Sequence, residues 1–337
     1  MKVTRKQVAE HASVSEATVS YVINNGPRPV AAETRARVLQ AIRELGYHPS
    51  DIARSLAKQR TTTIGLILPD TANPFYGEVA RVIENLCYAR GYTVLLCNSS
   101  MDQSRETHYA NILHAKRVAG VIILPTHPNT SAIQALQQAN IRTIVVDAEI
   151  PSATCVVADD FQGGYLLTRH LIQLGHERIA SITYTGDVVG YSMRFEGYKA
   201  ALTEAGLPLD ERLIVEAEPE VAAGEAAGLE LLRRANRPTA IFAHNDRVAL
   251  GVLSAARKAG LRTPHDVSVV GFDNLIESAF FSPPLTTINS PKQQMGETAV
   301  RLLFEFIETQ QEVHIPQTLT LDVTLIVRES TAPPAAL

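Results

Sequence analysis

The sequence lacks the features of a membrane-spanning or disulfide-stabilised protein. No apolar run in its 337 residues reaches the roughly 18 residues that a bilayer-spanning helix needs. The charged start, MKVTRKQVAE, is not followed by the apolar run of a signal peptide. The three cysteines, Cys87, Cys97 and Cys155, are odd in number and show no metal-ligand spacing. We therefore expect a cytoplasmic protein that binds neither metal nor membrane and whose cysteines serve in packing.

The common signatures of catalysis are also missing. The chain has no Gly-x-Gly-x-x-Gly after a strand, no phosphate-binding loop, no His-Glu-x-x-His and no Gly-x-Ser-x-Gly. Its ten histidines are scattered, and His170, His176 and His244 come nearest to positions of interest. His176, within LGHERIA, is interpreted as a structural residue at a helix end. These absences predict that the protein is not an enzyme and has no catalytic residues and no cofactor.

Charge, by contrast, is unevenly distributed along the chain. Residues 1–60 hold ten Lys/Arg and five Asp/Glu, whereas the remaining residues hold twenty-one and thirty. A basic segment joined to an acidic one is typical of a phosphate-binding module attached to a region with another function. The length also exceeds what one hydrophobic core usually supports, so we expect two or three domains.

Residues 4–24, TRKQVAEHASVSEATVSYVIN, have the pattern of two short helices joined by a tight turn. Thr4 and Gln7 have the spacing of a capping box, and Ser15 is placed to cap the second helix. The second helix is predicted to bury Val19, Val22 and Ile23 and to expose Glu16, Ala17, Ser20 and Tyr21. This spacing favours a helix-turn-helix, whose second helix lies in the DNA major groove, over a small helical pair of another kind.

A third helix and a shorter helical segment follow this pair. Apolar residues at helical spacing predict a helix over Glu33–Leu45, which would complete a three-helix core. Residues 51–57 predict a helix of about two turns, too short to persist alone in water. Leu56 in this segment is apolar and has no local core. The segment is therefore either an ordinary linker or one that folds on DNA and inserts Leu56 between base pairs in the minor groove.

From Thr62 onward, apolar strands alternate with amphipathic helices, which predicts parallel sheets with right-handed crossovers. The predicted strands are residues 64–68, 93–98, 120–124, 142–147, 155–159, 178–183, 240–245 and 267–273. The predicted helices are residues 75–90, 104–116, 130–138, 162–174, 195–205, 221–234, 247–259 and 295–308. We interpret this series as two doubly wound lobes in preference to one closed barrel.

Polar side chains follow several of these strands. Ligands of doubly wound sheets bind beyond the carboxyl ends of the strands, so these side chains are candidates for a binding site. The set comprises Asp70, Asn73, Asn98, Asp102, Asp147, Asp159, Asp160, Asn245, Asp246 and Asp273, with Phe75 and Arg194 nearby. One arginine among Asp and Asn side chains, beside an aromatic ring, suits a polyhydroxylated ligand, because carboxylates and guanidinium groups pair with vicinal hydroxyls.

A series of motifs runs through nearly the whole chain. Near the N-terminus they are VTRKQVAEHASVSEATVS, ETRARVLQAIRELGYHPS and IARSLAKQRTTTIGLILPD. They continue through NPFYGEV, GYTVLLCNS, RVAGVIIL, GHERIA, FEGYKAAL, RPTAIFAHND, DVSVVGFDN, PPLTTI and VRESTAPP. In these motifs and their order the chain resembles the lactose/galactose-repressor (LacI/GalR) family of transcriptional regulators. Tyr21 stands where the family usually has Arg, and Pro219 where several relatives have an aromatic residue.

The resemblance implies an α/β protein with a three-helix helix-turn-helix head, a hinge helix, and a two-lobe body of doubly wound parallel sheets similar to type I periplasmic binding proteins. We place the DNA-binding domain at residues 1–48, the hinge helix or linker at 49–61, and the effector-binding and dimerisation domain at 62–330. The first lobe would comprise residues 62–157 and 286–316, and the second residues 158–285 and 317–330. The chain would then cross between the lobes near Val157, Leu285 and Gln317.

Two sets of contact residues follow from the pattern and the resemblance together. The predicted DNA contacts are Thr4, Lys6, Ser15, Glu16, Ala17, Thr18, Ser20, Tyr21, Asn25, Arg28, Ala53, Arg54 and Leu56. Within this set Glu16, Ala17, Ser20 and Tyr21 would face the bases, and Lys6, Arg28 and Arg54 the phosphates. The predicted effector contacts are Asn73, Phe75, Asp147, Arg194, Asn245 and Asp273.

These inferences predict a ligand-responsive transcriptional repressor that binds a palindromic, double-stranded operator as a homodimer. Its effector would be a sugar or sugar derivative in the first place and a nucleobase or nucleoside in the second, and either could release DNA or promote its binding. The ending TAPPAAL contains no leucine heptad, which favours a dimer over a coiled-coil tetramer. The alternatives are a solute-binding protein of a transporter, which leaves residues 1–60 unexplained, and a nucleic-acid-binding enzyme.

Overall fold

Three helices lie in the described residues of the N-terminal part of the chain, called the head. The computed structural model describes residues 3–24, 28–47, 61–127, 131–184, 189–309 and 315–335. It separates into two compact units, the head (residues 1–62) and the body (residues 63–337). The head helices are α1 (Arg5–His11), α2 (Glu16–Asn24) and α3 (Ala32–Leu45). The helix predicted over residues 51–57 lies outside the described residues.

Local capping interactions set the helix boundaries in the head. The Thr4 side chain accepts a hydrogen bond from the Gln7 N–H, and the Gln7 side chain accepts one from the Thr4 N–H, as the predicted capping box requires. The Ser15 hydroxyl accepts a hydrogen bond from the Thr18 N–H at 3.1 Å and so caps α2. Gly46 has a left-handed backbone (φ 60°) that ends α3 at little cost for a residue without Cβ.

The core between the three head helices consists of small apolar side chains. Val19 and Val22 are buried as predicted, and Ile23 packs beside them with partial exposure. The buried set is Val8, Ala9, Ala12, Val19, Val22, Val38 and Ala41. Because every member is valine or alanine, each one removes little apolar area from water, and the stability of the head depends on a few methyl groups.

Two sheets, each covered by helices on both faces, form the body. The strands are β1 (Thr63–Leu68), β2 (Thr93–Asn98), β3 (Gly120–Ile123), β4 (Thr143–Val146), β5 (Thr154–Ala158), β6 (Ile179–Thr183), β7 (Ile214–Glu216), β8 (Ala240–Ala243), β9 (Ser268–Phe272), β10 (Thr286–Asn289), β11 (Thr318–Leu321) and β12 (Thr324–Ile326). The helices are α4 (Pro74–Ala89), α5 (Gln103–Ala115), α6 (Ser131–Gln138), α7 (Asp160–Gln173), α8 (Val189–Glu204), α9 (Val221–Leu232), α10 (Asp246–Lys258) and α11 (Lys292–Thr309).

The strand order shows two doubly wound lobes, as predicted. The first lobe has the order β11-β5-β4-β3-β1-β2 with parallel neighbours, and the second has β12-β10-β9-β8-β6-β7 with β12 antiparallel at its edge. Helices α4 and α11 cover one face of the first sheet, and α5 and α6 the other. In the second lobe α9 and α10 lie opposite α7 and α8. No helix in the described part of the chain is long and apolar enough to cross a membrane.

The chain passes between the two sheets three times, and two of these crossovers differ from the prediction. Strand β10 pairs with β9 in the second sheet, and β11 pairs with β5 in the first. The predicted crossings near Leu285 and Gln317 are therefore wrong, because the chain leaves the second sheet after Asn289 and the first after Leu321. Buried strands of the two sheets have the same apolar composition, so the sequence does not reveal which sheet a strand joins.

Most elements of the body coincide with the predicted ones. The eight predicted strands are all present, whereas β7, β10, β11 and β12 are additional. The largest shift of a helix boundary is at α8, which begins at Val189 and not at Phe195. The additional strands are three or four residues long, too short to give a periodic signal.

Candidate functional site

The face of α2 that points away from the head core carries the residues predicted to read DNA bases. Glu16 and Ala17 are exposed, and Ser20 and Tyr21 are partly exposed. Glu16 also pairs with Arg5 of α1 at 3.2 Å, so its carboxylate has a defined position on this surface. This orientation is the one that a recognition helix needs, since the apolar residues on its other side hold it against the core.

The remaining predicted DNA contacts in the described part of the head fall into two groups. Thr4, Ser15 and Thr18 take part in the helix caps, with the Ser15 and Thr18 hydroxyls 2.9 Å apart. Lys6 and Arg28 are exposed, and the Lys6 ammonium lies 3.9 Å from Glu10, a contact too weak to withdraw it from a phosphate. Predicted contacts outside the described residues are Asn25, Ala53, Arg54 and Leu56.

The six predicted effector contacts lie at the carboxyl ends of strands or on the helices that follow them. Asn73 caps α4 by accepting from the Phe75 N–H at 3.1 Å, and Asn245 caps α10 by accepting from the Val248 N–H at 2.8 Å. Asp147 follows β4 and Asp273 follows β9, both with positive φ (64° and 107°). The charges of Arg194 and Asp273 in the second lobe act on the Asp147 carboxyl group of the first, so these three side chains face one space between the lobes, here called the cleft.

Arg194 lies at the centre of this cleft and is almost completely buried, with 5% exposure. Its Nε donates to the Asp160 carboxylate at 2.7 Å, and its Nη1 donates to the His244 carbonyl at 2.7 Å. Its Nη2 lies 3.6 Å from an oxygen of Asp273. The guanidinium carbon is 3.7 Å from the centre of the Phe272 ring, within the range of a cation–π contact. These contacts fix the position of the guanidinium group.

Burial and charge shift several pKa values around Arg194. Burial raises the pKa of Asp273 to about 6, although Arg194 and Lys292 lower it. Burial and the Asp160 charge raise the pKa of Asp147 above its ordinary value. Burial and the Arg194 charge lower the pKa of His244 to about 3, so this imidazole is neutral at pH 7. The cleft thus contains carboxyl groups that take up protons more readily than free aspartate does.

Aromatic rings surround the same cleft from both lobes. In the first lobe, Phe75 and Tyr76 meet edge to face at 5.3 Å. In the second lobe, Tyr191 packs 4.8 Å from His244, and its ring centre lies 5.0 Å from the Arg194 guanidinium. Tyr191 is missing from the predicted contacts. Tyr191 lies three residues before Arg194, so the two side chains share one face of the helix, and this spacing is the feature of the sequence that points to Tyr191.

A cavity of about 300 Å³, called the acidic cavity, opens beside this network. Asp147 is the one predicted effector contact among its described lining residues, and the other five are buried and do not line it. Four carboxylates line it, those of Asp147, Glu149, Asp159 and Asp160. None of its described lining residues is basic. Asp160 lines the cavity and accepts a hydrogen bond from Arg194, but it is not among the six predicted effector contacts. The volume suits a ligand the size of a single sugar or heterocyclic ring.

One ion pair joins the two lobes near the cleft. Asp70 follows β1 in the first lobe, and Arg247 lies in the first turn of α10 in the second. The Arg247 guanidinium is 3.6 Å from the Asp70 carboxylate, and the two side chains are 22% and 32% exposed. Because the partners belong to different lobes, the pair exists only when the lobes are close together.

The fold and these two sites define a class of protein: a DNA-binding head joined to a two-lobe small-molecule-binding body is a ligand-responsive transcriptional regulator. A family model described as "Periplasmic binding proteins and sugar binding domain of LacI family" matches residues 61–326. A second, described as "Bacterial regulatory proteins, lacI family", matches residues 4–50. The chain belongs to the LacI family of bacterial regulatory proteins, which confirms the predicted family and regulatory function.

Individual relatives agree with this assignment. The chain is 39% identical over 332 residues to the HTH-type transcriptional repressor PurR of Aliivibrio fischeri (strain MJ11), covering 97% of this chain and 98% of the relative. It is similar to the Lac repressor dimer bound to operator and the anti-inducer ONPF, with 29% identity, a TM-score of 0.88 and coverage of 98% and 100%. It is also similar to a LacI family transcriptional regulator from Enterococcus faecium with bound ribose (32% identity, TM-score 0.73, coverage 80% and 99%). These relatives are regulators and not enzymes, as predicted for this chain.

Proposed function

We propose that the protein is a repressor whose effector is a small uncharged sugar or sugar derivative bound between the lobes. The observation that carries this proposal is the acidic cavity beside Arg194. A phosphate or carboxylate entering it would meet four carboxylates, and Arg194 is already paired with Asp160 and Asp273. Neutral hydroxyl groups, in contrast, can donate hydrogen bonds to these carboxylates without charge repulsion.

Two further observations support a sugar. Phe161 and Met193 supply apolar surface in the lining of the acidic cavity, beside its carboxylates, which suits a ligand with hydroxyls at its edge and carbon–hydrogen groups on its face. The relative from Enterococcus faecium holds ribose, a ring of the size that the cavity accepts. A nucleobase or nucleoside is the second candidate, because the exposed ring of Phe161 in the cavity lining offers a face on which a flat heterocycle can stack.

We propose further that the protein binds operator DNA as a homodimer through α2 of each protomer. The exposed residues Glu16, Ala17, Ser20 and Tyr21 would contact base edges, and Lys6, Arg28 and Arg54 would contact phosphates. A dimer places two such helices about one helical turn apart on a palindromic site. The Lac repressor structure, a dimer on its operator, supports this arrangement. In this proposal Leu56 inserts into the minor groove, and Leu56→Ala weakens specific binding far more than nonspecific binding.

Thermal unfolding of the full chain with a panel of sugars, sugar phosphates and nucleosides tests the effector. A ligand at 100 times its dissociation constant adds about 2.7 kcal/mol to the free energy of unfolding. We expect a neutral monosaccharide to raise the unfolding midpoint and its phosphate ester to have no effect. Asp147→Asn should weaken this response. A sugar phosphate that binds more tightly than its parent sugar would contradict the proposal, and a response to nucleosides alone would favour the second candidate.

Truncation at Thr61 separates the regulator from a plain solute-binding protein. We expect the body alone to keep its ligand and to lose DNA binding in a gel-shift assay. Comparing the full chain with and without effector then shows whether the ligand releases operator DNA or promotes its binding. Full DNA binding by the truncated body would contradict the assignment of residues 1–60 to DNA recognition.

A further inference from the structure

A second groove, called the crossover groove, lies on the segments that connect the two lobes. It encloses about 620 Å³ and is lined by α4 of the first lobe and by residues that follow β9 and end β10 in the second. The crossovers and the ends of the elements they join contribute residues 290–294, 320–322 and 324. Among the described lining residues, Thr320 is the one that this groove shares with the acidic cavity. The groove is therefore a separate space that also touches both lobes.

Two buried polar atoms in the wall of the groove have no hydrogen-bond partner among the described residues. One is the hydroxyl of Ser290, a residue that is 2% exposed. The other is Oε1 of Glu78, whose second oxygen lies 3.7 Å from the Lys292 ammonium. Buried polar atoms in folded proteins nearly always have a partner, so these two atoms call for one from outside the chain, which a molecule bound in the groove can supply.

A buried lysine ties this groove to the relative position of the lobes. Lys292 begins α11 in the first lobe and is 6% exposed. Its ammonium donates to the carbonyls of Asp273 and Asn274, which follow β9 in the second lobe, the latter at 3.0 Å. A rotation of one lobe against the other changes these contacts, and with them the shape of the groove.

The charges around the groove select for an uncharged ligand. Its lining contains two cations, Arg81 and Lys292, and two anions, Glu78 and Asp322, so the lining has no net charge. The rest of its polar lining consists of amides and hydroxyls. Ligand hydroxyl groups can donate to Glu78 and pair with Ser290, whereas a charged ligand would bring a charge that the neutral lining does not compensate.

We propose that the crossover groove is a second small-molecule site, which binds an uncharged polyol or similar polyhydroxylated molecule. Its walls belong to both lobes, so occupancy of the groove shifts the equilibrium between lobe arrangements. By linkage, a ligand here changes the affinity of the body for the molecule in the acidic cavity. The proposal does not depend on the identity of that molecule.

Binding of xylitol and sorbitol to the full-length protein, followed by thermal unfolding and calorimetry, tests the site. Polyols also stabilise proteins without binding, but that effect grows without saturation as concentration rises. We expect a saturable rise in the unfolding midpoint for the native chain. Gln294→Trp, which fills the groove from an exposed lining position, should abolish saturable binding, and Gln294→Ala is the matched control that retains it. Ser290→Ala should weaken saturable polyol binding about fivefold.

Substitution in the acidic cavity distinguishes the two sites. Asp147→Asn should leave polyol binding in the groove unchanged. Two results would overturn the proposal. One is an unfolding midpoint that rises linearly with polyol concentration in all variants. The other is saturable binding that is lost in Asp147→Asn and kept in Gln294→Trp. The described cysteines are buried, so spin labels at Gln134→Cys and Leu209→Cys, one exposed position in each lobe, report on lobe arrangement. An unchanged distance distribution at saturating polyol would refute the coupling between the lobes.

Discussion

The two proposed functional surfaces of this protein are built in opposite ways. The proposed recognition face of α2, formed by Glu16, Ala17, Ser20 and Tyr21, is exposed or partly exposed, and its one ion pair between described residues, Arg5–Glu16, lies at the surface. The proposed effector cleft contains a buried arginine between two buried carboxylates, Asp160 and Asp273. Surface ion pairs contribute little to stability, whereas a buried charge that loses its partner is costly. Substitutions in the recognition face should therefore alter function alone, and substitutions in the cleft should alter function and stability together.

The largest effect is expected from Arg194→Ala. The substitution leaves the Asp160 and Asp273 carboxylates buried without their cation, which should lower the free energy of unfolding by roughly 3–5 kcal/mol. It should also abolish the response to effector and leave operator binding by the head intact, as a gel shift with and without effector would show. Arg212→Ala is the matched control, because that arginine is exposed and pairs with Asp210 at the surface. Normal release of DNA by effector would contradict the role of Arg194.

Asp246 extends the comparison to a buried carboxyl group next to the cleft. Burial raises its pKa to about 7, although it accepts hydrogen bonds from the Thr287 hydroxyl and the Leu275 N–H. The folded state thus holds a proton that the unfolded state releases near pH 4, so the free energy of unfolding falls as pH rises from 4 to 7. Asp246→Asn removes this titration and should reduce the fall by roughly 3–4 kcal/mol.

Chemical denaturation of both chains at several pH values measures the effect. Asparagine can keep both hydrogen bonds, with its oxygen on the Leu275 N–H and its amide on the Thr287 hydroxyl. The stability of the native chain should therefore converge on that of the variant at low pH and fall below it at high pH. Parallel pH profiles for the two chains would show that Asp246 does not titrate in this range.

The small head core should be sensitive to the loss of single methyl groups. Val22 is 2% exposed and lies under the recognition face. Val22→Ala removes two buried carbons and should lower the stability of the head by about 2 kcal/mol, with a smaller effect on the body because the two are separate compact units. Amide hydrogen exchange resolves the head from the body. Val327→Ala, at a position that is 58% exposed, is the matched control and should change the stability of neither the head nor the body.

Substitutions at Tyr21 test whether the exposed surface of α2 acts in DNA recognition and not in stability. Tyr21→Ala removes one polar contact and should weaken binding to the native operator by about fivefold, with no loss of thermal stability. Tyr21→Arg restores the residue usual in the family and should change which operator sequence is preferred. Selection of binding sites from a random pool, followed by gel shifts, measures both. Identical preferences for the native chain and the Arg variant would exclude residue 21 from base recognition.

The same contrast explains what the sequence reveals and what it does not. The head is predictable because its caps and its buried valines are local: Thr4, Gln7 and Ser15 act within one or two turns. The positions of Asn73, Asp147, Asn245 and Asp273 after strands are predictable, because each follows an apolar strand that the sequence identifies. Two other features depend on tertiary packing, which no local pattern encodes. One is the pairing of Arg194 with Asp160, 34 residues away in the sequence. The other is which of the two sheets β10 and β11 join.

The smallest effect concerns Arg247 and Asp70, which pair across the lobes at partial exposure. Such a pair contributes about 0.2–1 kcal/mol, so Arg247→Gln should weaken effector binding about two- to fivefold if lobe closure accompanies binding. The difference from the native chain should shrink as salt rises, because salt screens exposed charges. Asp70→Asn added to Arg247→Gln should cause no further loss, since the pair is already broken. Losses that add in the double variant would show that the two residues act independently.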